Sequence, residues 1–441
     1  MTQEFFCSRR ELLATASHVA AGTAWLACGP GRALAGSGVE DSPARFPRGK
    51  AEACIFIWLG GGACHIDTWD PKERGDGKKR PGSYYDPIPT AIPSVSVCQH
   101  LSRTAPLLDR GIILRTLNHD VVDEHAAATN RLHTGRSTSG TVIYPSIGSI
   151  IAHQLGHRAE TIPAYVVMGY PNVTRGPGFL GPKYGYIYLT QTDVGPNGLV
   201  RPPDITAQRQ ARREKLLNKQ RESFLQQHRG EEPIENYAAV GVEGLRLAGP
   251  QFMSVFNLAS EPGELRESYG DEFGQRCLLA RRLVQAGVRF IEVSFNLNFV
   301  NGTGWDTHNE GQLKQHELID GLDRALAALV LDLERNKLLD RTLIVVATEF
   351  GRPPEFDAGG GRGHHSKAFS VVLFGGGLRT GQVIGETDEL GRTIVGRPVS
   401  VPDLHATIHC ALGINPAKEL YASDRPVPIT DMGQPVRELF T

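Results

Sequence analysis

Hydrophobic and polar positions along the chain fall into two kinds of run. Short, largely apolar stretches lie at Cys54–Leu59 (continuous), Gly111–Leu117, Ala164–Met168, Val288–Ser294, Thr342–Ala347 and Phe369–Phe374. Strands apolar on both faces belong to a sheet covered on both sides, which is the usual state of parallel sheets. Between them lie longer stretches with helical spacing. Ile319, Leu322, Leu326, Leu329 and Leu333 form one apolar stripe, which predicts an amphipathic helix over 316–336 packed on the sheet. Further helices are predicted over about Asp123–Leu132, Ile147–Leu155, Glu272–Ala286 and Asp403–Leu412. Strands alternating with helices of this length imply βαβ units and an α/β fold with a largely parallel central sheet. Two regions depart from the pattern. Residues 71–96 are rich in Pro, Gly and Lys and suggest a surface excursion, and 204–246 form a charged helical insertion that is mostly a solvated face.

Composition adds bounds. The chain has 441 residues, 40% hydrophobic and 22% charged, enough to bury a sizeable core in one large domain over 51–441. A formal net charge of −1 supplies no global field for holding nucleic acid or an anionic membrane surface. The first 35 residues have the order of an export signal. Arg9-Arg10 is followed by a mildly apolar stretch from Leu12 to Cys28 and then by Ala33-Leu34-Ala35, which predicts cleavage after Ala35. The paired arginines resemble a twin-arginine signal, so the partners expected are the twin-arginine export machinery and other envelope proteins, in a periplasmic or extracellular setting. Residues 36–50 then form a Gly/Ser/Pro linker. No other run is long and apolar enough to span a bilayer. After cleavage, Cys54, Cys64, Cys98, Cys277 and Cys410 remain, an odd and scattered set that does not suggest a disulfide framework.

Candidate chemistry gathers just past the apolar runs. Gly60-Gly61-Gly62 leads to His65, Asp67, Thr68 and Asp70; Gly304-Trp305 leads to Asp306 and His308; Thr342–Ala347 leads to Glu349 and Arg352; and Gly359-Gly360-Gly361 leads to Arg362, Gly363, His364 and His365. In open α/β sheets the crevice beyond the carboxyl ends of the strands is where ligands bind. Carboxylates and imidazoles drawn there from distant segments have the make-up of a hydrolytic metal site. Asp306 and His308 are spaced so that extended backbone puts both on one face. Glu349 follows a buried strand and needs a compensating partner, either a cation or an ion pair with Arg352 or Arg362. His119 and His125 are further contributors, as ligands or as groups orienting a substrate oxyanion.

These residues carry a family resemblance. Gly-Gly-x-x-His-x-Asp-Thr-x-Asp-Pro-Lys at 61–72, Asn-His-x(5)-His at 118–125, Trp-Asp-Thr-His-Asn at 305–309, Thr-Glu-Phe-Gly-Arg at 348–352 and Asp-Leu-His-Ala-Thr at 403–407 resemble the DUF1501 family of exported bacterial proteins. That family stands among the alkaline phosphatase and sulfatase-like folds. The resemblance implies an alkaline phosphatase-like three-layer sandwich and metal-dependent hydrolysis of a phosphate or sulfate ester. Its alternative is a non-catalytic binding protein that keeps the fold. It implies Asp67, Asp306, His308, Glu349 and His364 as ligands of a divalent ion (Zn, Mn, Mg or Ca). Thr68, Cys64 and Thr129 are then candidate nucleophiles, Arg352 or Arg362 would hold the anionic ester, and His125 would act beside them. The chain also departs from the pattern. Glu349-Phe350 stands where the wider superfamily has Asp-His, and no formylglycine-type Cys-x-Pro-Ser-Arg is present.

Overall fold

The largely apolar runs become strands of one sheet. A computed structural model describes residues 46–169, 175–189, 191–192, 195–196, 204–247, 250–295, 298–299 and 302–440. The expected export signal over 1–35 therefore lies outside the described residues, and of the linker only 46–50 is described. The sheet strands are β1 (Ala53–Trp58), β2 (Gly111–Asn118), β3 (Tyr165–Met168), β4 (Ile187–Leu189), β5 (Phe290–Ser294), β6 (Thr342–Ala347), β7 (Phe369–Gly375), β8 (Gln382–Ile384) and β9 (Val399–Ser400). Their order is β8-β2-β7-β6-β1-β5-β3-β4, with β9 beside β2. Every pairing is parallel except those of β7, which runs antiparallel to both β6 and β2.

Alternate residues of each strand feed two separate cores. On one face Ile55, Ile57, Val293, Ile344 and Val346 pack against α5 (Glu272–Ala286) and α6 (Gln315–Arg335), through Leu279, Leu283, Leu322, Leu326 and Leu333. On the other, Phe56, Trp58, Phe290, Leu343 and Val345 meet α1 (His125–Thr134), α2 (Ile147–Leu155) and α7 (Val401–Ala411). Helices on both faces of a mostly parallel sheet make a three-layer α/β sandwich. The charged insertion forms α3 (Ala207–Gln227), which buries none of its side chains, and α4 (Glu232–Leu247). Among the described residues no helix is long and apolar enough to cross a membrane.

Segment 71–96 is more than a surface excursion. Ser83, Tyr85 and Ile92 are buried, and Pro87–Pro89 pairs antiparallel with Ser96–Cys98. Its Pro and Gly content sets turns, while its few apolar and aromatic residues reach the core beneath the sheet end. Cys54, Cys64, Cys98, Cys277 and Cys410 are all buried and unpaired.

Candidate metal centre

The three central strands end in register. Trp58 at the end of β1 lies opposite Ala347 of β6 and Ser294 of β5. The loops that follow them therefore share one edge of the sheet. The antiparallel β7 begins at that edge, which brings the loop before it, residues 357–368, to the same place. These loops are laced together by backbone bonds. Trp305 N donates to Gly60 O at 2.8 Å, and the Gly351 and His365 backbones exchange bonds of 2.8 and 3.0 Å. Two glycines make the close approach possible. A Cβ at Gly61, whose φ is +118°, would lie 2.2 Å from Asp306 N, and one at Gly361 would lie 2.1 Å from Asn309 N.

This lacing brings His125, Asp306, His308 and His364 into one cluster, with one donor atom from each within 4.8 Å of all the others. Asp306 Oδ1 is its centre. It lies 3.1 Å from His308 Nε2, 3.5 Å from His125 Nε2 and 3.9 Å from His364 Nε2. The His308 and His364 Nε2 atoms face each other at 3.1 Å. His125 opens α1, where Glu124 caps the helix by accepting from Ala126 N and Ala127 N. The Phe350 ring backs the cluster, 4.9 Å from the His125 ring and 4.5 Å from that of His364.

Each imidazole turns its other nitrogen to a carboxylate. His125 Nδ1 is 2.9 Å from Glu349 Oε1, His364 Nδ1 is 2.8 Å from Asp123 Oδ1, and His308 Nδ1 is 3.9 Å from Asp357 Oδ2. Glu349 is itself held by Gly61 N at 2.7 Å, and Asp357 by the backbone N–H groups of Gly359 and Gly361. For His125 and His364 a carboxylate within hydrogen-bond reach favours a proton on Nδ1 and turns Nε2 toward the cluster, whereas Asp357, at 3.9 Å, only faces His308. Three Nε2 atoms and a carboxylate oxygen then converge; without a metal, the Arg352 guanidinium, 2.7 Å from Asp306 Oδ1 and 3.4 Å from His308 Nε2, and a proton on His125 offset them. The donor set fits a divalent ion of the borderline class, for which imidazole and carboxylate are ordinary ligands.

The electrostatics agree with a charged centre. Burial works to raise the Asp306 carboxyl, yet the facing His125 and His364 rings and the Arg352 guanidinium hold it well below the usual carboxylate range. Burial opposes charge on His125 too, but Asp306 and Glu349 raise its pKa to about 9. A proton thus occupies this imidazole at neutral pH when no metal competes for it. Burial and the Arg352 guanidinium, whose Nη1 lies 3.4 Å from its Nε2, push His308 below its ordinary value.

The remaining expected site residues have other partners. Asp67 is buried; its carboxylate accepts from Tyr84 N at 2.6 Å, from Arg362 Nε at 3.1 Å and from Gln312 Nε2, and it does not join the cluster. Glu349 pairs with neither Arg352 nor Arg362. It stands one bond behind His125. Arg352 spends its guanidinium on Gly62 O, Arg362 O, Gly61 O and Asp306 Oδ1. Arg362 spends its own on Asp67, Pro353 O, Pro354 O and Gly82 O. Both are wholly buried, so neither can take up an anionic ester without dismantling the loops it ties. Thr68 Oγ1 donates to Cys64 O at 2.8 Å, and burial pushes the Cys64 thiol far up, so neither is presented as a nucleophile at the cluster. Asp123 and Asp357 were not singled out from the sequence. The available signal was position alone, Asp123 two residues before His125 and Asp357 just before the glycine triplet.

Fold and cluster together define an α/β protein with a candidate mononuclear metal centre at the carboxyl edge of its sheet. The chain belongs to the family described as protein of unknown function (DUF1501), whose profile matches residues 51–440. No curated protein matches it. Similar solved structures include the alkaline phosphatase of the Antarctic bacterium TAB5, at 13% identity over 82% of this chain and 98% of that one, TM-score 0.35. A phosphonate monoester hydrolase from Silicibacter pomeroyi is 10% identical over 87% and 76%, TM-score 0.38. A sulfatase from Pseudoalteromonas sp. is 12% identical over 84% and 68%, TM-score 0.37. At these identities and scores no residue role transfers from them.

Proposed function

We propose that this is an exported metal-dependent hydrolase of phosphate or sulfate esters, with His125, Asp306, His308 and His364 holding one divalent ion. The observation that carries this reading is the convergence of three Nε2 atoms on Asp306 Oδ1, each imidazole with a carboxylate at its back. A divalent ion there would polarise an ester oxygen and make a nearby water more acidic. The protein's own part is orientation. Glu349, itself fixed by a backbone N–H group, holds the His125 ring, and Phe350 packs against the rings of His125 and His364. With Thr68 and Cys64 turned away, water rather than a side chain is the nucleophile in this reading.

One observation favours a second reading. Four protein donors suffice to close a tetrahedral shell, which is the composition of a structural site rather than an open catalytic one. The protein would then be an envelope binding module in which the ion only stabilises the loops. The two readings separate on turnover of aryl phosphate and aryl sulfate by metal-supplemented protein. The enzyme reading expects hydrolysis that chelator abolishes and that Asp306→Asn lacks. Chelator-sensitive melting without hydrolysis would leave the binding module. Export by Arg9-Arg10 is a separate part of the proposal, and normal maturation of an Arg9→Lys, Arg10→Lys precursor would overturn it.

A further inference from the structure

Of the three carboxylates behind the imidazoles, two are anchored and one is not. Glu349 is buried and held by Gly61 N, and Asp357 is gripped by the N–H groups of Asn309, Gly359 and Gly361. Asp123 comes from the loop between β2 and α1, and its side chain is 84% exposed. Its recorded partner is His364 Nδ1, at 2.8 Å. The His364 backbone, by contrast, is well fixed. On one side Arg362 is tied through its guanidinium, and on the other His365 pairs with Gly351. The His364 ring lies 4.5 Å from the ring of His125 and 4.9 Å from that of His308. What these anchors leave open is the proton, because a ring in this pocket can carry its hydrogen on either nitrogen. With the proton on Nε2, His364 would aim a donor at the cluster and could not be a ligand.

We propose that Asp123 is a positioning residue for the centre: it holds the His364 proton on Nδ1 and so keeps Nε2 free to bind metal. The proposal rests on the metal reading above and deepens it, since it puts control of the site on a solvent-exposed loop. Carboxylate partners of ligating histidines typically change metal affinity 10–100-fold when removed. Because Asp123 is exposed and, among the described residues, its side chain bonds only His364, its truncation should alter the centre while leaving the protein folded.

The test uses the full mature chain, wild type, Asp123→Ala and Asp123→Asn, each stripped of metal and titrated with Co²⁺ against a competing chelator. Histidine ring nitrogens are followed in ¹⁵N-His-labelled metal-free protein. The expected result is a loss of Co²⁺ affinity of about 10–100-fold in Asp123→Ala. Asp123→Asn should recover part of the loss, because its amide oxygen still accepts the Nδ1 proton. The His364 ring should report an Nδ1–H tautomer in the wild type and a shift toward Nε2–H in Asp123→Ala, a change that a merely structural role would not produce. Equal affinity and an unchanged tautomer in Asp123→Ala would overturn the role of Asp123 while leaving the metal centre standing. A wild-type protein that binds no Co²⁺ would instead overturn the metal reading itself.

Discussion

Asp67–Arg362 and Asp306–Arg352 are both aspartate–arginine pairs at the carboxyl edge of the sheet, and both arginines are wholly buried. In the first pair the aspartate is buried as well, and its oxygens are filled by Arg362, Gln312 and Tyr84 N. In the second, the aspartate side chain is 37% exposed, and the oxygen bonded to Arg352 also faces three imidazoles. One pair is a fastening and the other is half a binding site. The difference lies in what surrounds the carboxylate, since residue type and place after a strand are alike. A charge with every lone pair engaged has nothing left for an ion, whereas one that shares its oxygen with imidazoles able to give up a proton does.

The largest expected effect is on the fastening. Arg362→Met should cost roughly 3–5 kcal/mol of stability by leaving Asp67 buried and unpaired. Adding Asp67→Leu should recover much of that, as read from denaturant midpoints. A single variant as stable as the wild type would mean that Asp67 is not held as described, and the contrast between the two pairs would fall.

At the other pair the loss should be in binding. Asp306→Asn keeps a partner for Arg352 but removes the shared anion. It should weaken divalent-ion binding by more than about 100-fold, beyond the range for residues that act behind a ligand. Stability in chelator should change by less than roughly 1 kcal/mol. Isothermal titration and melting in chelator check the two halves, and a variant that loses stability but keeps the ion would reverse the assignment of the pairs.

A pH series sharpens the same contrast. The His125 pKa is raised in the folded protein to about 9 from an ordinary 6.5. The stabilisation that proton provides is therefore complete below about 6.5 and is lost as pH rises through about 9. A bound ion needs the neutral ring, so its affinity should rise about tenfold per pH unit across that window. The melting-temperature gap between metal-loaded and chelated protein should accordingly widen from pH 6.5 to 9. A gap that narrows would remove His125 from the ligand set. The smallest effect belongs to Thr68→Val, which should cost about 1 kcal/mol for its lost bond to Cys64 O and leave ion affinity unchanged.

Much of the architecture was legible because it follows from burial. The short, largely apolar runs read as strands covered on both faces, and the Ile319-to-Leu333 stripe as a helix packed on them. The antiparallel direction of β7 was not legible, since an apolar run carries no sign of direction. Asp306, His308, His364 and His125 could be singled out as chemistry-bearing residues beside strand ends. Which carboxylates face an imidazole and which meet an arginine depends on how loops distant in sequence cross. Asp67 meets Arg362 across that kind of crossing, and Glu349 meets His125. Asp123 was invisible for the same reason, because its contact with His364 spans most of the chain. The role of 71–96 was missed because Pro and Gly content signals turns without revealing that Tyr85 and Ile92 are buried between them.

The most direct test of the central claim is the stoichiometry of Co²⁺ binding to metal-stripped protein, followed by visible absorption, in the wild type and in Asp306→Asn and His308→Ala. The account predicts one ion per chain in the wild type, an imidazole-dependent spectrum, and loss of that ion in both variants with the far-ultraviolet circular dichroism unchanged. No bound ion in the wild type, or an ion retained by both variants, would contradict it.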